Sequence, residues 1–277
     1  FRIKNASKTG DSNIDDEEYN RIGIVEMLEQ VKKSDEYNRP IKQSENGWPV
    51  GRGVGIGWWP CGIEISSARV MINHDGGVDV AIGAVDLHGI RTGTAQVAAE
   101  TLGIEPDEVN VHTADTEGIP YTGNAAGSRI TRTLSQAVFK AGSAVIGQMK
   151  GKMAVRFGID AEFVEYEGGY FYARDNQDSK VSFKDAGAAV TKNGSNIVAT
   201  ASNDPDMRPA NGYAMSIADV EVDPETGKIQ LIDFTIFQDV GKCVNPTQVE
   251  NQMQGGAVQG IGWALSEEYI YDDQGLM

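Results

Sequence analysis

The chain has 277 residues, 40% of them hydrophobic and 23% charged, an ordinary globular composition with material for a sizeable buried core that excludes a disordered chain. Twenty-four Lys and Arg against 40 Asp and Glu leave a formal net charge of -16, which repels nucleic acid and acidic membranes. No run approaches the roughly 18 apolar residues of a membrane span, and Phe1 to Lys4 show no signal-peptide hydrophobic region. Cys61 and Cys243 are far apart and too few for a disulfide framework, which fits a reducing, cytoplasmic setting without nucleic acid or membrane partners.

Residues 5 to 20 are polar, and the acidic run Asp15 to Glu18 stands where a helix N-terminus welcomes negative charge. Ile24, Met27, Leu28 and Val31 follow at i, i+3, i+4, i+7, which predicts an amphipathic helix to about Lys33. A polar stretch to Pro49 ends that unit. Gly51 to Trp59 reads as a strand, because its alternating glycines lack the Gly-x-Gly-x-x-Gly spacing of a dinucleotide loop. Ala68 to Asn73 and Val78 to Ile82 form a predicted hairpin around His74 to Gly77. Ala95, Ala98, Ala99 and Leu102 repeat at helical spacing with Gly103 at the C-cap, and a short strand follows from Val109 to Thr113.

A longer helix is carried by Leu134, Val138, Ala141, Val145 and Met149. Its Gly142, Gly147 and Gly151 cost about 1 kcal/mol each relative to Ala, with close helix packing as the expected compensation. A hairpin over Phe163 to Ala173, a short helix over Phe183 to Lys192, strands over Ala214 to Val222 and Lys228 to Gln238, and a Gly-rich helix over Val249 to Leu265 complete the pattern. A further short strand is expected at Tyr269 to Tyr271. This mixed order predicts an α+β fold with two subdomains. The expected division is a helical segment at 1–50, a first subdomain at 51–158, a hairpin and short-helix connection at 159–210, and a second subdomain at 211–277.

The chain has no Gly-x-Ser-x-Gly, Walker lysine loop, His-Glu-x-x-His or Cys-x-x-Cys. Its three histidines and two cysteines are too scattered for a zinc cluster, and His74 and His112 read as structural. Three segments look like binding loops. Asp86 to Thr92 and Gly123 to Thr131 each put Gly and hydroxyl residues ahead of a predicted helix, where free N–H groups favour an anion and Arg91 or Arg129 could grip phosphate. Plain helix capping by Thr92 and Thr131 accounts for the same residues. The third segment, Asn245 to Gly256 with Gln259 to Gly262, combines amides with small residues, either for ligand approach or for a tightly packed helix.

Taken in order, these segments resemble the molybdenum-cofactor subunit of the xanthine dehydrogenase and aldehyde oxidase family. The resemblance is carried by Arg2 to Ala6, Gly51 to Gly53, the turn Asp75 to Gly77, Ile90 to Gly103, Gly127 to Arg129, Asp239 to Pro246, Gln252 and Gly255 to Gly256, and it spans nearly the whole chain. It implies an α+β fold of molybdenum-cofactor-binding type, with mixed sheets and packed helices. It also implies oxidation of a heteroaromatic ring or an aldehyde with water as oxygen source. The implied cofactor is molybdopterin, bare or as the cytosine dinucleotide, with iron–sulfur and FAD centres on partner subunits or domains.

By this resemblance the cofactor contacts are His88, Gly89, Arg91, Thr92, Gly127, Ser128, Arg129 and Gln252, with no metal ligand from the chain. The family's first loop usually carries Gly-x-Gly, often with Gln in the middle. Here His88-Gly89 stands there with one residue fewer, making His88 the candidate substitute. The chain corresponds to the second cofactor-binding half and stops at Met277, before the segment expected to hold the catalytic glutamate. No catalytic residue is therefore assigned; the acidic residues near the cofactor-like segments are Glu250, Glu267 and Glu268, of which Glu267 and Glu268 read as solvated. The missing N-terminal half is an expected partner, and the chain alone is expected to be inactive. The rival reading is an inert scaffold or assembly fragment that completes the cleft with a partner chain.

Overall fold

The structure, a computed structural model, describes residues 1–14, 16–113, 115–208 and 210–277; Asp15 of the acidic run lies outside them. In chain order it forms α1 (Arg2–Asn5), α2 (Ile24–Lys33), α3 (Asp35–Asn38), β1 (Val50–Cys61), β2 (Ser67–Ile72), β3 (Val78–Ile82), α4 (Ile90–Leu102), β4 (Val109–His112), α5 (Ile130–Phe157), β5 (Val164–Glu167), β6 (Tyr170–Ala173), β7 (Asn176–Ser182), α6 (Phe183–Lys192), β8 (Val198–Ser202), β9 (Ala210–Val222), β10 (Ile229–Asp239) and α7 (Pro246–Leu265). The architecture is α+β.

Residues 1–60 with 210–277 form one compact unit and residues 61–209 the other. The chain thus leaves the first unit and returns to it, which the four-segment division read from the sequence does not contain. Sheet pairing is the reason: β1 joins β9 and β10 in one sheet, while β8, from the expected connection at 159–210, pairs with β2.

In the first unit, β9 and β10 pair antiparallel around a turn closed by Asp223 N–H to Lys228 O at 2.9 Å. Met27, Leu28 and Val31 of α2 bury against Tyr213, Met215 and Ile217, each such side chain contributing roughly 1.5–3 kcal/mol. The acidic run does not open this helix. α2 starts at Ile24 behind Gly23, whose N–H donates to Asp239 Oδ2 at 3.0 Å, while Glu18 bridges Ser12 upstream. α7 begins with Asn245 Oδ1 accepting from Gln248 N–H at 3.1 Å, but none of its residues is buried. Among the described residues nothing packs tightly against this Gly-rich helix, and Tyr269 to Tyr271 form no strand.

One ion pair ties this unit together. Arg52 Nε and Nη2 donate to both carboxylate oxygens of Asp219 at 2.6 and 2.7 Å. Its Nη1 donates to Tyr37 O and Arg39 O at 2.9 and 2.8 Å. The guanidinium holds the Asp219 carboxyl below the usual range, and the Asp219 side chain is only 3% exposed.

The second unit is built on a mixed sheet in the order β4-β3-β2-β8. β2 pairs antiparallel with β3 and β8, and β3 pairs parallel with β4. Its core joins Val70, Val80 and Ile82 of the sheet to Leu102, Leu134, Val138 and Met149 of the helices. A second antiparallel sheet, β5-β6-β7, contributes Phe171 to that core. Of the three glycines in α5, only Gly142 is explained by packing: a Cβ there would stand 2.9 Å from Thr101 Cγ2, whereas Gly147 and Gly151 have nothing within 4 Å.

Gly147→Ala and Gly151→Ala should each raise stability by roughly 0.5–1 kcal/mol. Gly142→Ala should not, because Thr101 is held in place by its hydroxyl bond to Val97 O at 2.7 Å. Urea denaturation midpoints of the three variants check this order. Arg52→Ala should be destabilising, because it removes both carboxylate bonds from a buried Asp219. Since the folded carboxyl titrates below its unfolded value of about 3.9, the pair's contribution is complete above that pH and is lost as pH falls through the folded value. The stability gap between wild type and Arg52→Ala should narrow in acid, as read by thermal unfolding across pH.

Candidate functional site

Topology brings two of the three predicted loops to one end of the second unit. β3 and β4 run parallel, so α4, which crosses from one to the other, starts at their carboxyl ends. β2 runs antiparallel to β3, with Ala68 opposite Ile82, so its start lies at that same end. α5 begins there too: Thr133 Oγ1 lies 2.8 Å from Ser66 Oγ, and Gly123 N–H donates to Ile65 O at 3.0 Å. The two connections also meet directly, since a Cβ on Gly83 would fall 2.4 Å from Pro120 O and 2.8 Å from Thr122 N. The carboxyl ends of parallel strands are where open sheets receive ligands.

Both loops turn into their helices in the same way. His88 and Gly89 have φ of 58° and 71°, and Gly127 and Ser128 have 64° and 56°. Among the described residues only Asp16 shares a positive φ with His88 and Ser128 outside glycine; such backbone is held against a steric cost and concentrates at functional sites. The capping alternative fails on geometry. Gly89 and Arg129 are the N-cap residues, with no side-chain cap bond at either, so Thr92 and Thr131 sit inside the first turns.

The first-turn donors can be followed one by one. Ile90 N–H donates to Leu87 O at 3.3 Å and Gly93 N–H to Gly89 O at 3.0 Å, and Arg91 N–H donates to Asp86 Oδ1 at 3.2 Å. In α5, Thr133 N–H donates to Arg129 O at 3.0 Å. The N–H groups of Thr92, Ile130, Thr131 and Arg132 have no partner among the described residues. Side chains of His88, Arg91, Thr92 and Ser128 are exposed, and Gly89 and Gly127 are half-buried. Gln252 lies exposed on α7 of the other unit.

Arg129 corrects the sequence reading. Its side chain is 2% exposed and pairs with Glu64 Oε2 at 2.9 Å. The guanidinium also donates to Glu64 O at 3.3 Å, to Ser66 Oγ at 3.1 Å and to Asn124 O. Both terminal nitrogens of the fork expected to grip phosphate are spent on the chain itself, while the buried Nε has no acceptor among the described residues; Arg129 becomes a positioning residue. The partners missed from sequence form a strap, residues 61–66, along the second loop. Gly62 N–H donates to Gly127 O at 2.8 Å, and Cys61 Sγ donates to Ser128 O at 3.1 Å. Burial pushes the Cys61 thiol up, against the pull of Arg132 and Arg129. Glu250, Glu267 and Glu268 are exposed.

Residues 26–277 match the family described as the molybdopterin cofactor-binding domain, and the chain belongs to that family. It is 29% identical to the xanthine dehydrogenase molybdenum-binding subunit of Escherichia coli O157:H7, over 98% of this chain and 38% of that one. It is 26% identical to the aldehyde oxidoreductase of Megalodesulfovibrio gigas, over 97% of this chain and 29% of that one. Quinoline 2-oxidoreductase from Pseudomonas putida 86 superposes with a TM-score of 0.82 at 25% identity, covering 96% of this chain and 37% of the other. The chain therefore spans less than two-fifths of these relatives. Among the described residues no helix is long and apolar enough to cross a membrane, and no group of three His, Cys, Asp or Glu could hold a metal ion.

Arg129→Ala should cost about 1–3 kcal/mol, since it leaves the Glu64, Ser66 and Asn124 acceptors without their shared donor. Arg129→Lys should recover little, because a point ammonium cannot replace the fork. Chemical denaturation of both variants measures this.

Proposed function

We propose that the carboxyl-end loops of the second unit hold the pterin and phosphate of molybdopterin in a molybdenum hydroxylase. The observation that carries this reading is the pair of left-handed turns opening two neighbouring helices, with the N–H groups of Thr92, Ile130, Thr131 and Arg132 unclaimed. Helix starts of this kind favour an anion through both their donors and their dipoles. The residues present fit the cofactor on a second count: the buried Arg132 Nη1 has no acceptor among the described residues, and an anionic oxygen would satisfy it.

In this reading Gly89 and Gly127 set the turns, Arg91 adds exposed positive charge, and the Ser128 hydroxyl and the His88 ring supply adaptable polar contacts. For Gln252, on α7 of the first unit, a cofactor contact is what the family resemblance alone implies. The bound cofactor supplies the oxidation chemistry at molybdenum, and the chain's part is binding, orientation and exclusion of water. The metal takes no ligand from these residues. The substrate class is a heteroaromatic ring or an aldehyde, with water as oxygen source and electrons passing to iron–sulfur and FAD partners in a cytoplasmic complex. The remainder of the molybdenum subunit supplies the general base.

Thr92→Glu and Thr131→Glu test this with two readouts of opposite sign. A carboxylate in the first turn should hold or raise helix stability by about 0.3–1 kcal/mol, while repelling an anionic cofactor. In protein assembled with the rest of its subunit and its partners, each variant should keep its melting temperature and lose most of its molybdenum. Undiminished molybdenum in both would remove the loops as the site. The mass of the extracted pterin distinguishes the bare form from the cytosine dinucleotide.

A further inference from the structure

We propose that Glu64 is the positioning residue of the second cofactor loop, acting through Arg129 and through the space it fills above Gly123. The inference rests on the reading of these loops as the molybdopterin site. Glu64 lies in the 61–66 strap, outside every loop singled out by sequence. Its carboxylate is the one counter-charge within ion-pair distance of Arg129 among the described residues. Its backbone oxygen accepts from the same guanidinium, so one residue holds the buried cation twice.

The carboxylate also rests on the loop. A Cβ at Gly123 would fall 2.3 to 2.5 Å from the Glu64 carboxyl atoms, so the absence of a side chain at 123 is what lets it sit there. Arg129 in turn holds Asn124 O and forms the N-cap of α5. The chain of contacts therefore runs from Glu64 to Arg129, to the 123–128 turn, and to the N–H groups of the first turn of α5. Glu64 itself is 42% exposed, and it presents negative charge beside a site for an anion. Direct electrostatics alone would make that unfavourable, whereas a carboxylate paired with a buried guanidinium is neutralised and serves geometry instead.

This opposition of charge and geometry gives the test its sign. Glu64→Gln removes one negative charge and leaves Arg129 uncompensated. If Arg129 and Glu64 acted on the cofactor by charge, molybdenum content would stay level or rise. If Glu64 positions the loop, content should fall severalfold, and amide hydrogen exchange at positions 62, 123 and 133, whose N–H groups bond to Gly127 O, Ile65 O and Arg129 O, should quicken about tenfold while β2, β3 and α4 keep their protection.

Gly123→Ala is the second arm. It changes no charge, its backbone lies outside the left-handed region, and the new Cβ displaces the Glu64 carboxylate. It should reproduce both effects. Where Glu64→Gln quickens exchange throughout the unit, Gly123→Ala decides: loosening confined to the amides at 62, 123 and 133 upholds the proposal. Unchanged exchange at these three positions in Gly123→Ala overturns it, as does level or raised molybdenum content in Glu64→Gln. If the wild-type assembly carries no molybdenum, the proposed function falls, and the exchange measurements still decide the role of Glu64.

Discussion

The second unit depends on a charge that has been taken out of water. Removing a guanidinium from solvent costs several kcal/mol unless its charge and its donors are met, and the two terminal nitrogens of Arg129 offset that cost with acceptors from separate stretches of chain. Glu64 and Ser66 come from the strap before β2, Asn124 from the loop, and Thr133 from the first turn of α5. Because the acceptors are far apart in sequence, the bonds can all form only when strand, loop and helix have reached their final places. The loop therefore inherits its shape from the core rather than from its own Gly-rich sequence.

The parallel β3–β4 pair decides where that shape is displayed. A parallel pair needs a crossover, and a helix is the usual solution, so α4 must open at the carboxyl ends of its strands. β4 then exits at the same end and feeds α5. Two helix starts with unmet donors thus come together because of one strand pairing. Gly83 records how close they are, since it has no room for a side chain between the two connections.

Much of the fold was legible in the sequence because its signals are local. The 3.6-residue spacing of Ile24, Met27, Leu28 and Val31 gave α2, and Asp75 to Gly77 gave the β2–β3 turn; each is written within a few neighbouring residues. What failed was non-local or ambiguous. Asp16 to Glu18 look like a helix start, yet nothing in their composition distinguishes that from the turn they make before it. β8 and β7 carry weak alternation, and their places depend on partners far along the chain. The site divides in the same manner. Glycines at 89 and 127 announced the turns, but the burial of Arg129 rests on Glu64, 65 positions away, and no spacing rule connects the two.

Net charge bears on the site less than its magnitude suggests. A chain of -16 is a poor partner for an anion at long range, but at physiological salt the screening length is about 8 Å. At the start of α5 the first-turn N–H groups and the Arg132 guanidinium are donors to be met, while the Glu64 carboxylate on the neighbouring strap is already paired with Arg129. Asp86 is likewise engaged, accepting from the Arg91 N–H. That bond comes from a neutral donor and leaves the Asp86 charge in place, whereas the guanidinium neutralises Glu64. The chain can be acidic overall and still offer an anion the first-turn donors of α5, because the carboxylate beside them is already matched by a buried cation.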